Sequence, residues 1–214
     1  MPEPSELQQL TAAELEKECR QGVLILDTRA AEQFATFHIP KTLQIGLMGP
    51  FASWAAILIR PTQQLLIIAE DSNSAYEAQN RLARVGLQNV IGYALADEKA
   101  WRRQGFTLIS LPIHRCDDIR QALQEDRPLQ LIDVRSRAEW LKGHLPGAIS
   151  MPLLELSSDA ASVDLSKLNV LYCEEGHRAT TAASLLLRSN SGDLGILIDG
   201  MEGWRASDLP LETS

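Results

Sequence analysis

The chain says nearly the same thing twice. Val23-Leu24-Ile25-Leu26-Asp27-Thr28-Arg29 is echoed by Leu129-Gln130-Leu131-Ile132-Asp133-Val134-Arg135, Phe34 by Trp140, and His38-Ile39-Pro40 by His144-Leu145-Pro146, at a displacement of about 106 positions. Further on, Leu65-Leu66-Ile67-Ile68-Ala69 answers Asn169-Val170-Leu171-Tyr172-Cys173, and Trp101 answers Trp204. So ordered a set of matches at so long a period restricts the fold to two copies of one domain, not a solenoid of short units. Each copy, at about 100 residues, is large enough to bury a core of its own. The junction is expected near Ser110-Leu111-Pro112, which places the domains at 5–109 and 110–214.

Each copy alternates strands and helices. In the second, a polar helix near Asp117–Gln124 leads into the strand Leu129–Val134, a short helix around Ala138–Lys142 and the turn His144-Leu145-Pro146-Gly147-Ala148. A brief strand Ile149–Met151, the strand Val170–Tyr172, the helix Thr180–Leu187, the strand Gly195–Ile198 and a short helix carrying Gly203-Trp204 follow. This alternation predicts an α/β fold, a mainly parallel sheet flanked by helices in each domain. In such sheets the binding sites lie at the C-terminal edges of the strands.

The net charge of −8 argues against nucleic acid or an anionic membrane as a partner. No apolar run approaches the roughly 20 residues that span a bilayer. The opening Met1-Pro2-Glu3-Pro4-Ser5-Glu6 lacks the basic and apolar regions of a secretion signal. Cys19, Cys116 and Cys173 form no CxxC and the four histidines are scattered, so no metal and no cofactor are expected. An odd number of free thiols points to a reducing, cytoplasmic setting.

Cys173-Glu174-Glu175-Gly176-His177-Arg178 stands between the strand ending at Tyr172 and the helix that follows. A cysteine opening such a loop faces backbone N–H groups and a helix N-terminus, which are expected to lower its pKa and favour the nucleophilic thiolate. Glu174, Glu175, Gly176, His177 and Arg178 are the expected substrate-binding loop, and Arg178 closes it with a forked cation that either holds an anionic donor or pins backbone carbonyls. Asp133 and Arg135 are expected to pair and support the loop, His144 to bond a carbonyl at a helix end, and Trp140 and Trp204 to anchor the core. Cys19, on the helix Ala12–Arg20, and Cys116, in the interdomain segment, lack the strand–loop–helix setting and are read as bystanders.

Together, Ile132-Asp133-Val134-Arg135, Glu139-Trp140, Gly143-His144-Leu145-Pro146-Gly147-Ala148, the Cys173–Arg178 loop and Asp199-Gly200-Met201-Glu202-Gly203-Trp204 resemble the rhodanese (sulfurtransferase) family. The likeness covers nearly all of the second copy. The first resembles the same fold through Asp27-Thr28-Arg29, Phe34 and His38-Ile39-Pro40. The resemblance implies a tandem rhodanese in which Cys173 takes a sulfane sulfur as a persulfide and passes it on. The donor would be thiosulfate or a thiol persulfide, and the acceptor cyanide, a thiol or a protein. The chain also resembles the double rhodanese tail of metallo-β-lactamase-fold persulfide dioxygenase fusions, implying association with a persulfide-oxidising enzyme.

The first copy departs at the decisive place. Ala69 replaces the cysteine, and Ser74 stands where the sequence spacing puts the closing arginine, so this domain is expected to be inactive. Asn73 and the neighbouring serines are available to cap its helix. The apolar insertion 49–59 needs burial, expected against the other domain. On the residues alone two alternatives stay open for the second copy: a binding or regulatory module, and a cysteine phosphatase. Four residues between cysteine and arginine make a tight ring suited to one sulfur atom. Two glutamates would also repel a dianionic phosphate by about 1 kcal/mol or more each, and they disfavour thiosulfate for the same reason.

Overall fold

The computed structural model describes residues 7–156, 163–164, 166–189 and 193–213. Positions 5 and 214, where the sequence reading begins the first domain and ends the second, lie outside them. The chain forms two compact units, Met1–Ile109 and Ser110–Ser214. The first runs α1 (Ala12–Arg20), β1 (Leu24–Asp27), α2 (Ala31–Thr36), β2 (Leu43–Gln44), α3 (Phe51–Leu58), β3 (Leu65–Ala69), α4 (Ser72–Arg84), β4 (Val90–Leu95) and α5 (Glu98–Gln104). The second runs β5 (Ile113–His114), α6 (Cys116–Gln124), β6 (Leu129–Asp133), α7 (Arg137–Trp140), β7 (Ile149–Ser150), β8 (Leu168–Tyr172), α8 (His177–Arg188), β9 (Leu194–Leu197) and α9 (Gly200–Ala206).

All strand pairings in both sheets are parallel, in the orders β2-β1-β3-β4 and β5-β9-β8-β6-β7. The two sheets are built alike. Asp27 pairs with Ile68 across β1 and β3, as Asp133 pairs with Tyr172 across β6 and β8. That register makes Ala69 the counterpart of Cys173. Even the fifth strand has an echo in the first unit, where Gln9 bridges Tyr93 of β4 as β5 pairs with β9. Gly92 permits this, since a Cβ there would lie 2.8 Å from the Gln8 carbonyl oxygen. Strands covered on both faces are apolar throughout, and Leu65–Ala69 of β3 is wholly buried.

The repeated residues form one repeated scaffold. Arg29 and Arg135 each hold the aspartate two residues earlier through Nε and Nη2, the shortest contact being 2.6 Å in both. Each also donates from Nη2 to a carbonyl at the end of the next helix, Phe37 O at 2.9 Å and Gly143 O at 2.8 Å. All four side chains are 2% exposed or less, so water screens neither pair. His38 and His144 bond the carbonyls of Phe34 and Trp140 through Nδ1 and stack on the same rings, with centroids 3.9 and 3.5 Å away. Trp101 and Trp204 are buried in the two cores, whereas Trp140 is half-buried and serves chiefly as the platform for His144.

Two local expectations need correction, those for Cys116 and for the cap of α4. Cys116 is not a linker residue: it opens α6 and is buried in the second core with Met201 and Trp204. The apolar insertion of the first unit is buried through Phe51, Ala55 and Ile59, and α3 packs on α4 of its own domain. Arg81 of α4 lies over the Phe51 ring and donates to the carbonyls of Leu47 and Gly49. The cap of α4 is Asp71, not Asn73 or a serine, and it accepts from Ser74 N at 2.7 Å.

Removing one member of a fully buried ion pair strands the other charge, at a cost of about 3–5 kcal/mol. Asp27→Ala and Asp133→Ala are each expected to lose stability on that scale, read as a fall in the urea midpoint. The same loss in the copy that has Ala69 in place of the loop cysteine is what marks the pair as scaffold. A shift no larger than that of the surface variant Glu98→Ala would contradict it.

Candidate active site

Cys173 leaves the C-terminal end of β8 with 1% of its surface exposed. The chain then turns through Glu174 and Glu175 to Gly176, whose φ of 80° is left-handed, and α8 starts at His177. A side chain at Gly176 would also collide with the main chain, its Cβ 2.7 Å from the Ile198 carbonyl oxygen. Because the N-cap is glycine, no side chain caps α8. The amides here point inward instead: the backbone N–H groups of Arg178 and Ala179 in the first turn of α8, and of Glu175 in the loop before it, all face the Cys173 sulfur.

The outer rim of the loop is carried by α9. Met201 N donates to Cys173 O at 2.9 Å and Glu202 N to Glu174 O at 3.1 Å. This contact needs Gly200, which has φ of 57° and whose missing Cβ would otherwise stand 2.7 Å from Cys173 O and against Glu174 O. The thiol is thus held between the amide ring of α8 on one side and a loop backbone clamped by α9 on the other.

The side chains around it are committed to one another. Arg178 neither pins carbonyls nor stands open: both its Nη atoms donate to Glu139, each at 2.8 Å. Glu174 bonds Arg205 of α9 and lies 3.5 Å from Arg135 Nη1, so its negative charge is shared between two guanidinium groups. This weakens the repulsion of anions expected of Glu174. Glu175 and His177 are exposed. Of the loop residues, Glu175 and Arg178 bring backbone N–H groups to the Cys173 sulfur, and Gly176 makes the turn that allows it. The Glu174 side chain is turned to Arg205 and Arg135. Asp133 is linked to the loop through Arg135, which reaches Glu174.

The expected lowering of the thiol pKa is overturned. Burial pushes the Cys173 thiol up, outweighing the pull of the Ala179, Glu175 and Arg178 amides and of the Arg178 charge. The sulfur is almost wholly removed from water, and Arg178 spends its charge on Glu139. Burial likewise raises Cys19 and Cys116, each to about 11. Glu139, held by Arg178 and by Ser136, is drawn down to about 2.

The first domain has no such cradle. Between Ala69 and the start of α4 lie only Glu70 and Asp71, against Glu174, Glu175 and Gly176 in the second. With the helix starts matched, Asn73 rather than Ser74 stands in the place of Arg178, a shift that the sequence alone conceals. Among the described residues, no group of histidine, cysteine, aspartate or glutamate is arranged to hold a metal, and no helix is long and apolar enough to cross a membrane.

A family model for the rhodanese-like domain matches residues 11–102 and again 116–207. The chain belongs to the rhodanese-like domain family, as a tandem pair. It is 31% identical over 90 residues to a transcriptional regulator of the helix-turn-helix type from Mycobacterium tuberculosis, covering 42% of this chain and 40% of that protein. It is 25% identical over 95 residues to a sulfurtransferase from Allochromatium vinosum, covering 44% of this chain and 89% of that one. Among solved structures, thiosulfate sulfurtransferase from Pseudomonas aeruginosa is 19% identical with a TM-score of 0.44, covering 97% of this chain and 44% of its own. The chain therefore spans less than half of that regulator. Both halves of the chain are thus rhodanese-like domains, and proteins they resemble include ones named as sulfurtransferases.

Sequence reasoning missed three parts of this rhodanese site. Glu139 was visible as the fourth residue of the capping box Ser136-Arg137-Ala138-Glu139, but nothing local signals its bond to Arg178, 39 residues away. Arg205 and the glycine contact at Gly200 lie in the Asp199–Trp204 motif, and only the folded backbone brings them to the loop.

Two outcomes are expected. Alkylation of Cys173 by iodoacetamide should be slow at neutral pH and rise through a midpoint above that of an ordinary thiol, because a raised pKa leaves little thiolate at pH 7. A midpoint below the ordinary value would show that the amides outweigh burial. Gly200→Ala should displace the loop and change that alkylation rate while the first domain stays folded, checked by mass-resolved labelling alongside circular dichroism.

Proposed function

We propose that this protein is a sulfurtransferase that carries a sulfane sulfur on Cys173. The observation that supports the reading best is the ring of backbone N–H groups from Glu175, Arg178 and Ala179 converging on a buried cysteine, at a helix start that no side chain caps. Such a ring stabilises a terminal sulfur anion as an oxyanion hole stabilises oxygen. Neither acid–base residues nor a cofactor are needed for the exchange.

In the first half of the cycle the Cys173 thiolate attacks the outer sulfur of the donor. The bond joining that sulfur to the donor breaks, and its electron pair leaves with sulfite, from thiosulfate, or with a thiolate, from a thiol persulfide. The proton lost by the thiol passes to the leaving thiolate or to water. Cys173 then holds a persulfide. In the second half a thiolate or cyanide attacks the terminal sulfur, and the electron pair of the S–S bond returns to Cys173. Sulfur moves as a neutral atom in both halves, so no external oxidant or reductant is consumed.

A phosphatase is disfavoured by the same geometry, for the ring is tight and Arg178, which would bind a phosphate, is held by Glu139. The first domain, with Ala69 at the cysteine position, acts as a non-catalytic partner in the chain.

Intact-mass measurement after incubation with thiosulfate or glutathione persulfide is the direct test. Wild-type protein should gain the mass of one sulfur atom, the gain should vanish on adding cyanide, and Cys173→Ser should gain nothing. No labile gain with either donor would leave the fold as a binding module. Hydrolysis of an aryl phosphate by wild type but not Cys173→Ser would favour the phosphatase.

A further inference from the structure

Glu139 performs two tasks that can be separated. As the third residue of α7 it closes the capping box, its Oε2 accepting from Ser136 N at 3.0 Å and from Ser136 Oγ at 2.7 Å. Both its oxygens also accept from Arg178. Capping needs no charge. The first domain proves it, since Gln33 stands at the place of Glu139 and its Oε1 accepts from Ala30 N at 3.1 Å in the same way. In that domain the glutamate charge, its arginine partner and the cysteine are missing together, replaced by Gln33, Asn73 and Ala69. The charge of Glu139 therefore belongs with the arginine and the thiol, not with the helix.

The remaining arginines beside the loop are committed in the same way, Arg135 to Asp133 and Arg205 to Glu174. Thiosulfate presents a sulfonate one bond from the sulfur to be transferred, and it needs a cation at that point. A thiol persulfide presents there an uncharged sulfur that carries only a carbon substituent. On the reading that Cys173 carries a persulfide, we propose that Glu139 is a specificity-determining residue: its carboxylate occupies the guanidinium fork of Arg178, withholds that cation from sulfonate-bearing donors and leaves the loop selective for thiol persulfides. Glu139 acts through Arg178, as a positioning residue.

The test is Glu139→Gln, which keeps the capping box and removes the charge. The ratio of kcat/KM for thiosulfate to that for glutathione persulfide should rise about fivefold or more, the scale of one half-buried charge pair. The pH midpoint of Cys173 alkylation should fall as well, because the freed guanidinium then faces the thiol. The midpoint needs no sulfur transfer, so it reads Glu139 even if Cys173 takes sulfur from no donor. Glu139→Asp, which keeps the charge but is too short to reach both nitrogens, should lie between wild type and Glu139→Gln and covers the case in which the latter folds poorly. Adding Arg178→Gln to Glu139→Gln should abolish the gain. An unchanged ratio together with an unchanged midpoint would overturn the proposal, as would a parallel loss of activity toward both donors. A gain that survives removal of Arg178 would do the same.

Discussion

An aspartate at the end of a central strand, gripped by an arginine two residues later, is the contact on which both domains are built. Burying such a pair is expensive, and its Coulomb attraction offsets the desolvation only when every donor and acceptor is used. Here most are: the guanidinium that holds the carboxylate through Nε and Nη2 also takes the carbonyl at the end of the next helix, fixing the distance from strand end to helix end. The pair contributes geometry more than net stability. In the second domain the same guanidinium reaches Glu174, so the scaffold extends into the reactive loop by a single additional contact.

Around the sulfur, backbone and side chains have opposite assignments. The backbone supplies the positive face, as N–H groups that cannot be neutralised by a counter-ion. Each nearby arginine, by contrast, has an acidic partner. Burial then works against the thiolate, while the amides and the Arg178 charge work for it. A cysteine held in this manner is guarded against alkylation and oxidation by the same desolvation that raises its pKa.

How much of this was legible beforehand follows the range of the interactions. The repeat fixed two domains because it is a property of the sequence itself, and strand–helix alternation gave parallel sheets because fully apolar strands have few other uses. The pairing of Asp133 with Arg135 was readable too, spanning two residues. The partner of Arg178 was not: a fork that suits carbonyls and anions equally suits a carboxylate brought in by the fold from α7. The thiol pKa was misjudged for a related reason. Helix-end amides are visible in a sequence, but the depth at which they bury a sulfur is not. The displacement of Asn73 into the place of Arg178 was hidden because a loop shortened by one residue looks in sequence like a substitution.

That shortened loop sets the first domain apart from the second by more than its alanine. The helix there begins on Asp71, whose carboxylate already accepts from Ser74 N. The second domain leaves the equivalent place to a glycine and keeps its amides for a visitor. The first carries an anion of its own, covalently attached and always present. A cysteine set at position 69 would therefore meet a seat already taken.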